Sequence, residues 1–119
     1  MSLIFLEYPK CSTCQKAKRW LIQNGIHFLD RHIVENPPSV SEINDWIALA
    51  KQPICKFFNT SGILYRNLLL KDKLHFLSDE EKIKLLCSNG LLIKRPLLIS
   101  NDFVLIGFNE NLWQITLLK

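Results

Sequence analysis

The sequence predicts an α/β domain in which a mixed four-stranded sheet is assembled from a β-α-β unit, a helical insertion and a β-β-α unit. Three observations lead there. An apolar run, a turn and a helical pattern follow one another within the first two dozen residues. Two capping-box signatures mark helices in the middle of the chain. Near the C-terminus, two apolar runs flank a two-residue turn. A mixed sheet covered by helices is the economical way to bury the apolar faces of that series.

Leu3 to Tyr8 reads as a short strand, Pro9-Lys10 as a loop, and Cys11-Ser12 as the start of a helix. Ala17, Trp20 and Leu21 recur at helical spacing, and Asn24-Gly25 supplies a C-terminal stop. His27 to Val34 has the character of a second strand, parallel to the first across a right-handed crossover. Pro37-Pro38 ends it. Ser39 with Glu42 opens a helix whose apolar face is Ile43, Trp46, Ile47 and Ala50, and Pro53 closes that helix. Ile54 to Leu77 reads as short helical pieces around the turn Asn59-Thr60-Ser61-Gly62. Ser78 with Glu81 opens the next helix, buried through Ile83, Leu86 and Cys87 and stopped at Asn89-Gly90. Pro96 then introduces Leu97-Leu98-Ile99, the turn Asn101-Asp102 and a strand from Phe103 to Ile106. Gly107 ends the hairpin, and Asn109 to Leu118 forms a last helix with Leu112, Ile115 and Leu118 or Leu117 facing inward.

The 119 residues, 48% of them apolar, suffice for one domain spanning 1–119, with the helical insertion at about 39–90. No apolar run is long enough for a membrane span, and Met1 to Tyr8 is too short for a signal peptide. The four cysteines are unevenly spaced in a chain rich in Leu and Ile, which fits a reducing, cytoplasmic setting rather than a disulfide-stapled secreted domain. A net charge of +4 spread along the chain argues for no nucleic-acid partner. Lys16, Lys18 and Arg19 cluster after the first two cysteines, either as a solvated helix face or as a local positive potential.

Cys11-Ser12-Thr13-Cys14 is the sharpest local signal: a C-x-x-C following a strand and opening a helix is a redox arrangement. The unpaired N–H groups of a helix N-terminus stabilise a thiolate, so Cys11 is the expected nucleophile, and Cys14, one turn on, the resolving thiol. Zinc ribbons need a second such pair, and His27, His32 and His75 lack ligand spacing, so no metal site is expected. Arg95-Pro96 is the second constellation. In a thioredoxin-like unit the proline opening the third strand stands opposite the cysteine loop, where Arg95 would bind an oxyanion or hold a thiolate charged, unless it is an ordinary surface charge. Cys55 and Cys87, on apolar helical faces, read as packing residues, and Trp20, Trp46 and Trp113 as core or interface aromatics.

These residues resemble the arsenate reductase-like family that includes the Spx regulators. The resemblance is carried by Tyr8-Pro9-Lys10-Cys11-Ser12-Thr13-Cys14 with Lys16-Ala17-Lys18, by Glu35-Asn36-Pro37-Pro38-Ser39, and by Phe57-Phe58-Asn59-Thr60-Ser61-Gly62 with Tyr65-Arg66. Leu92-Ile93-Lys94-Arg95-Pro96-Leu97 and Ile106-Gly107-Phe108 extend it over nearly the whole chain. It implies a thioredoxin-like fold with a cis proline at Pro96, a nucleophile at Cys11, and a substrate site including Ser12, Thr13, Asn59 and Pro96. The family's arsenate reductases gather their oxyanion with three arginines. Arg95 matches one, Asn59 stands in place of the first, and the third falls at or near Gly107, which argues against arsenate as substrate. What is implied instead is a thiol-disulfide oxidoreductase with no bound cofactor. Its partners would be a disulfide substrate protein and a thiol reductant, glutathione or thioredoxin. The alternative is an Spx-like redox-sensing regulator that binds the C-terminal domain of the α chain of RNA polymerase.

Overall fold

The computed structural model describes residues 2–118. Its sheet has the strand order β2-β1-β3-β4, with β1 at Ile4–Glu7, β2 at Leu29–His32, β3 at Leu97–Ile99 and β4 at Val104–Ile106. Strands β1 and β2 run parallel, with Ile4 opposite Leu29 and Glu7 opposite His32, while β1–β3 and β3–β4 are antiparallel. The sheet is therefore mixed and four-stranded, as the sequence predicts. Helix α1, Ser12–Gln23, makes the crossover, and Gly25 (φ 66°) takes the left-handed conformation after it that glycine adopts without strain.

Alternation along β1 divides the core in two, because successive side chains point to opposite faces. Phe5, fully buried, packs with Ala17, Leu21 and Trp113 on the α1 side, and Leu6 packs with Ile43, Trp46 and Leu86 on the other. Glu7 shares the face of Phe5, and so lies against α1.

The helical segment comprises α2 (Val40–Ala50), α3 (Ile63–Asn67), α4 (Leu70–Lys73) and α5 (Asp79–Ser88), joined by 3-10 turns at Ile54–Phe57, Leu74–Phe76 and Gly90–Leu92. Both capping boxes form: the hydroxyls of Ser39 and Ser78 accept the N–H of Glu42 and Glu81, whose carboxylates accept the serine N–H. Arg31 donates to both Glu42 oxygens, at 2.7 and 2.9 Å, tying β2 to the start of α2. That guanidinium holds the Glu42 carboxyl down at about 2. Gly90 passes so close to the Ile33 carbonyl that a Cβ would overlap it.

Helix α6 (Glu110–Leu117) turns inward through Trp113 and through Leu117, one of the two alternatives expected at its end, but not through Leu112 and Ile115. Leu112, Ile115 and Leu118 are 48%, 66% and 42% exposed, and Trp113 is fully buried. Asn109 caps the helix by accepting the Leu112 N–H. Trp113 fits edge-on against Phe108, with ring centroids 4.8 Å apart. Cys55 also departs from expectation. It is exposed, because the 3-10 turn repeats every three residues and buries Phe57 with Ile54 against the core, which leaves Cys55 on the opposite side. Cys87 is half-buried at the margin of the larger core.

Candidate active site

The cysteine loop begins where β1 ends. The Tyr8 carbonyl accepts the Cys11 N–H at 2.9 Å, and the turn delivers Cys11 as the N-cap of α1, with its sulfur accepting the Cys14 N–H at 3.4 Å. A sulfur in this position receives an N–H that has no partner within the helix and sits at the positive end of the helix dipole. Cys11 is partly exposed and Cys14 fully buried. Burial pushes the Cys11 thiol up, but hydrogen bonds from Cys14 and the Arg95 guanidinium outweigh it, leaving Cys11 below an ordinary thiol. Cys14 goes the other way, pushed up to about 12, chiefly by burial and also by the charges of Cys11 and Glu7.

Arg95 reaches the loop through a set of backbone tethers. Lys94 N–H donates to the Phe57 carbonyl (2.7 Å), Asn59 N–H to the Leu92 carbonyl (2.8 Å), and Phe58 forms an antiparallel bridge with Ile93. These fasten the helical segment to the lead-in of β3. The Arg95–Pro96 bond is cis, and Gly107 N–H donates to the Pro96 carbonyl at 2.8 Å. The Arg95 guanidinium stacks over the Tyr8 ring, 5.2 Å from its centroid. Its Nε and Nη1 are buried and have no hydrogen-bond partner among the described residues.

Between these elements lies a cleft of about 660 Å³ whose lining includes Cys11, Thr13, Asn59, Lys94, Arg95 and Gly107. Of the residues expected at the site, Cys11, Thr13, Asn59 and Arg95 share this cleft. Cys14 and Pro96 are buried and do not line it, and Ser12 is exposed at the start of α1 without lining it. Lys94, next to Arg95 in the chain, brings a second cation that no spacing in the sequence points to. Of the basic residues that follow the cysteines, Lys18 donates to Glu7 (3.2 Å) and Asp30 (2.6 Å). Nothing in the sequence marks Glu7 out either. It is only 2% exposed, and burial with the neighbouring Asp30 pushes its carboxyl up to about 7 against the opposing pull of Lys18. Among the described residues, no three or more His, Cys, Asp or Glu side chains gather as a metal site. No helix there is long and apolar enough to cross a membrane.

The profile of the ArsC family matches residues 6–116. The chain is 48% identical to the uncharacterized protein YusI of Bacillus subtilis, over 93% of this chain and 94% of that one. It is 31% identical to the regulatory protein MgsR of the same organism, over 90% and 83%. The crystal structure of an ArsC-family-related protein from Bacteroides fragilis superposes with a TM-score of 0.94 at 50% identity, covering 97% of both chains. These similarities extend over most of the chain, whose fold is thioredoxin-like, and the chain belongs to the ArsC family.

Proposed function

We propose that the protein is a thiol-disulfide oxidoreductase working in the cytoplasm. The observation that carries this reading is the contrast between Cys11, half-exposed and stabilised as a thiolate by the α1 N-terminus and Arg95, and Cys14, buried directly beneath it and kept as a thiol. Cys11 attacks a substrate disulfide, forming a mixed disulfide and releasing one substrate thiol. Cys14 then attacks the Cys11 sulfur, closing the Cys11–Cys14 disulfide and releasing the second. Two electrons pass from the cysteine pair to the substrate, and a thiol reductant, glutathione or thioredoxin, restores the pair. The unpartnered Nε and Nη1 of Arg95, with Lys94 nearby, suit an anionic group on the substrate or reductant, while Thr13 and Asn59 offer polar contacts and Ser12 and Pro96 frame the loop.

Trapping tests the reading. A Cys14→Ser variant incubated with cell extract should accumulate mixed disulfides on Cys11 that reductant releases. If Cys11 carries no adduct while Cys55 does, the assignment fails. The similarity to MgsR favours a second reading, in which the Cys11–Cys14 disulfide is a signal to RNA polymerase, bound through the C-terminal domain of its α chain. Binding of that domain that changes with oxidation, without turnover of a disulfide substrate, would decide for the regulator.

A further inference from the structure

We propose that Glu7 accepts the proton of Cys14 as the Cys11–Cys14 disulfide closes, and that Lys18 and Asp30 connect it to solvent. The role rests on the dithiol chemistry proposed above.

Glu7 lies on the face of β1 that α1 covers, and Cys14, Ala17 and Leu21 are the buried positions of α1. Two side chains of that helix fix the carboxylate: Gln15 Nε2 donates to Oε1 at 3.4 Å and Lys18 Nζ to Oε2 at 3.2 Å. The carboxylate is therefore held beneath the turn that carries Cys14, near enough for its charge to raise the Cys14 thiol. From β2, Asp30 shares the Lys18 ammonium and His32 stands opposite in register. The Nδ1 of His32 accepts the N–H groups of Val34 and Glu35 at 3.1 Å, and His32 is among the groups that hold the Asp30 carboxyl down. The paired segment of β3 contains only Leu97, Leu98 and Ile99 and contributes no charge.

Burial is the largest cause that raises the Cys14 thiol and it persists in the mixed disulfide, so Cys14 needs a base at the moment of attack. A carboxyl that titrates near 7 suits that task at neutral pH. In the step, Cys14 loses its proton to Glu7 and its sulfur bonds to the Cys11 sulfur. The bond from Cys11 to the partner's sulfur breaks, and the electron pair leaves on that sulfur as a thiolate, which solvent protonates. Glu7 then passes its proton to solvent beside Asp30, which is 41% exposed.

The experiment uses the full chain with Cys55→Ser and Cys87→Ser, so that only the active pair reacts with the aromatic disulfide dithiobis-nitrobenzoate. The first coloured thiolate reports attack by Cys11 and the second reports resolution by Cys14. Glu7→Gln should slow the second release by on the order of 10²-fold at pH 7 and displace its pH profile to the alkaline side, while the first release keeps its rate. Glu7→Asp should restore part of the second rate. A Gln variant with the parent rate and profile overturns the proposal, and so does a slowed release whose pH profile is unmoved. Lys18→Met supplies an independent arm: loss of the ammonium should move the inflection of the second release to higher pH, and an unmoved inflection overturns the proposal. A parent protein that never gives the second release refutes the dithiol reading itself.

Discussion

Replacing Glu7 by Gln should make the protein more stable at pH 8 and leave it nearly unchanged at pH 4.5. The folded-state carboxyl stands at about 7 against 4.5 in an unfolded chain, so between those values the unfolded chain ionises first and folding is progressively disfavoured as pH rises. At about 1.4 kcal/mol for each factor of ten, the ionised carboxylate costs about 3 kcal/mol once pH exceeds 7. Glutamine has the shape of the protonated acid and escapes that cost. The pull of Lys18 is already contained in the folded value, and Asp30, held low, titrates below the window. Urea unfolding of both proteins at intervals from pH 4.5 to 8 measures the difference directly. In thermal unfolding the same gain corresponds to roughly 10 °C for a chain of this size. A Gln variant that loses stability at pH 8, or a difference that does not change with pH, refutes the reasoning.

Arg95→Met should raise the Cys11 thiol, since the guanidinium is one of the groups holding it down. Iodoacetamide alkylation of Cys11 near neutral pH should slow several-fold, with its inflection displaced upward. Gly90→Ala should destabilise by about 1 to 3 kcal/mol in urea unfolding, because the Ile33 carbonyl against which the new methyl would press is backbone and cannot swing aside. Arsenate turnover in a coupled glutathione and glutaredoxin assay should be weak. Two missing arginine contacts at about 1.5 to 3 kcal/mol each amount to two to four powers of ten, and turnover comparable with a three-arginine enzyme would show that Lys94 or Asn59 takes their place.

The parts of the fold legible in the sequence were those fixed by neighbours along the chain. Ser39 with Glu42 and Ser78 with Glu81 announce helix starts because each box closes within three residues. The hairpin shows through its two-residue turn, with the Ser100 N–H donating to the Phe103 carbonyl. Cys11 could be placed because a strand and a helix bracket it. The remainder depended on contacts distant in sequence. In α6, apolar residues occur on both the 112–115–118 face and the 113–117 face, and only packing against Phe108 and Trp20 decides that Trp113 goes inward. Lys94 enters the cleft because Phe57 and Leu92 draw two loops together, and Glu7 gains its character only once α1 closes over β1.

Cys11 and Cys14 differ by one helical turn, yet their environments push them in opposite directions, and disulfide exchange requires that difference. The entering nucleophile has to be a thiolate before it meets the substrate, which the N-cap position and Arg95 provide. The resolving thiol has to stay protonated until a mixed disulfide exists. An exposed, ionised Cys14 would compete for substrate, and its charge would oppose ionisation of Cys11. Burial withholds it, but that same burial would leave it inert. Forming the mixed disulfide removes the Cys11 charge from beside Cys14, and with it one of the causes that raise the Cys14 thiol. The proton then needs a nearby acceptor, and the buried carboxylate of Glu7 supplies it at a cost in stability that a purely structural residue at this position would not incur. The predicted gain in stability and loss of resolution in Glu7→Gln are thus two consequences of one buried charge.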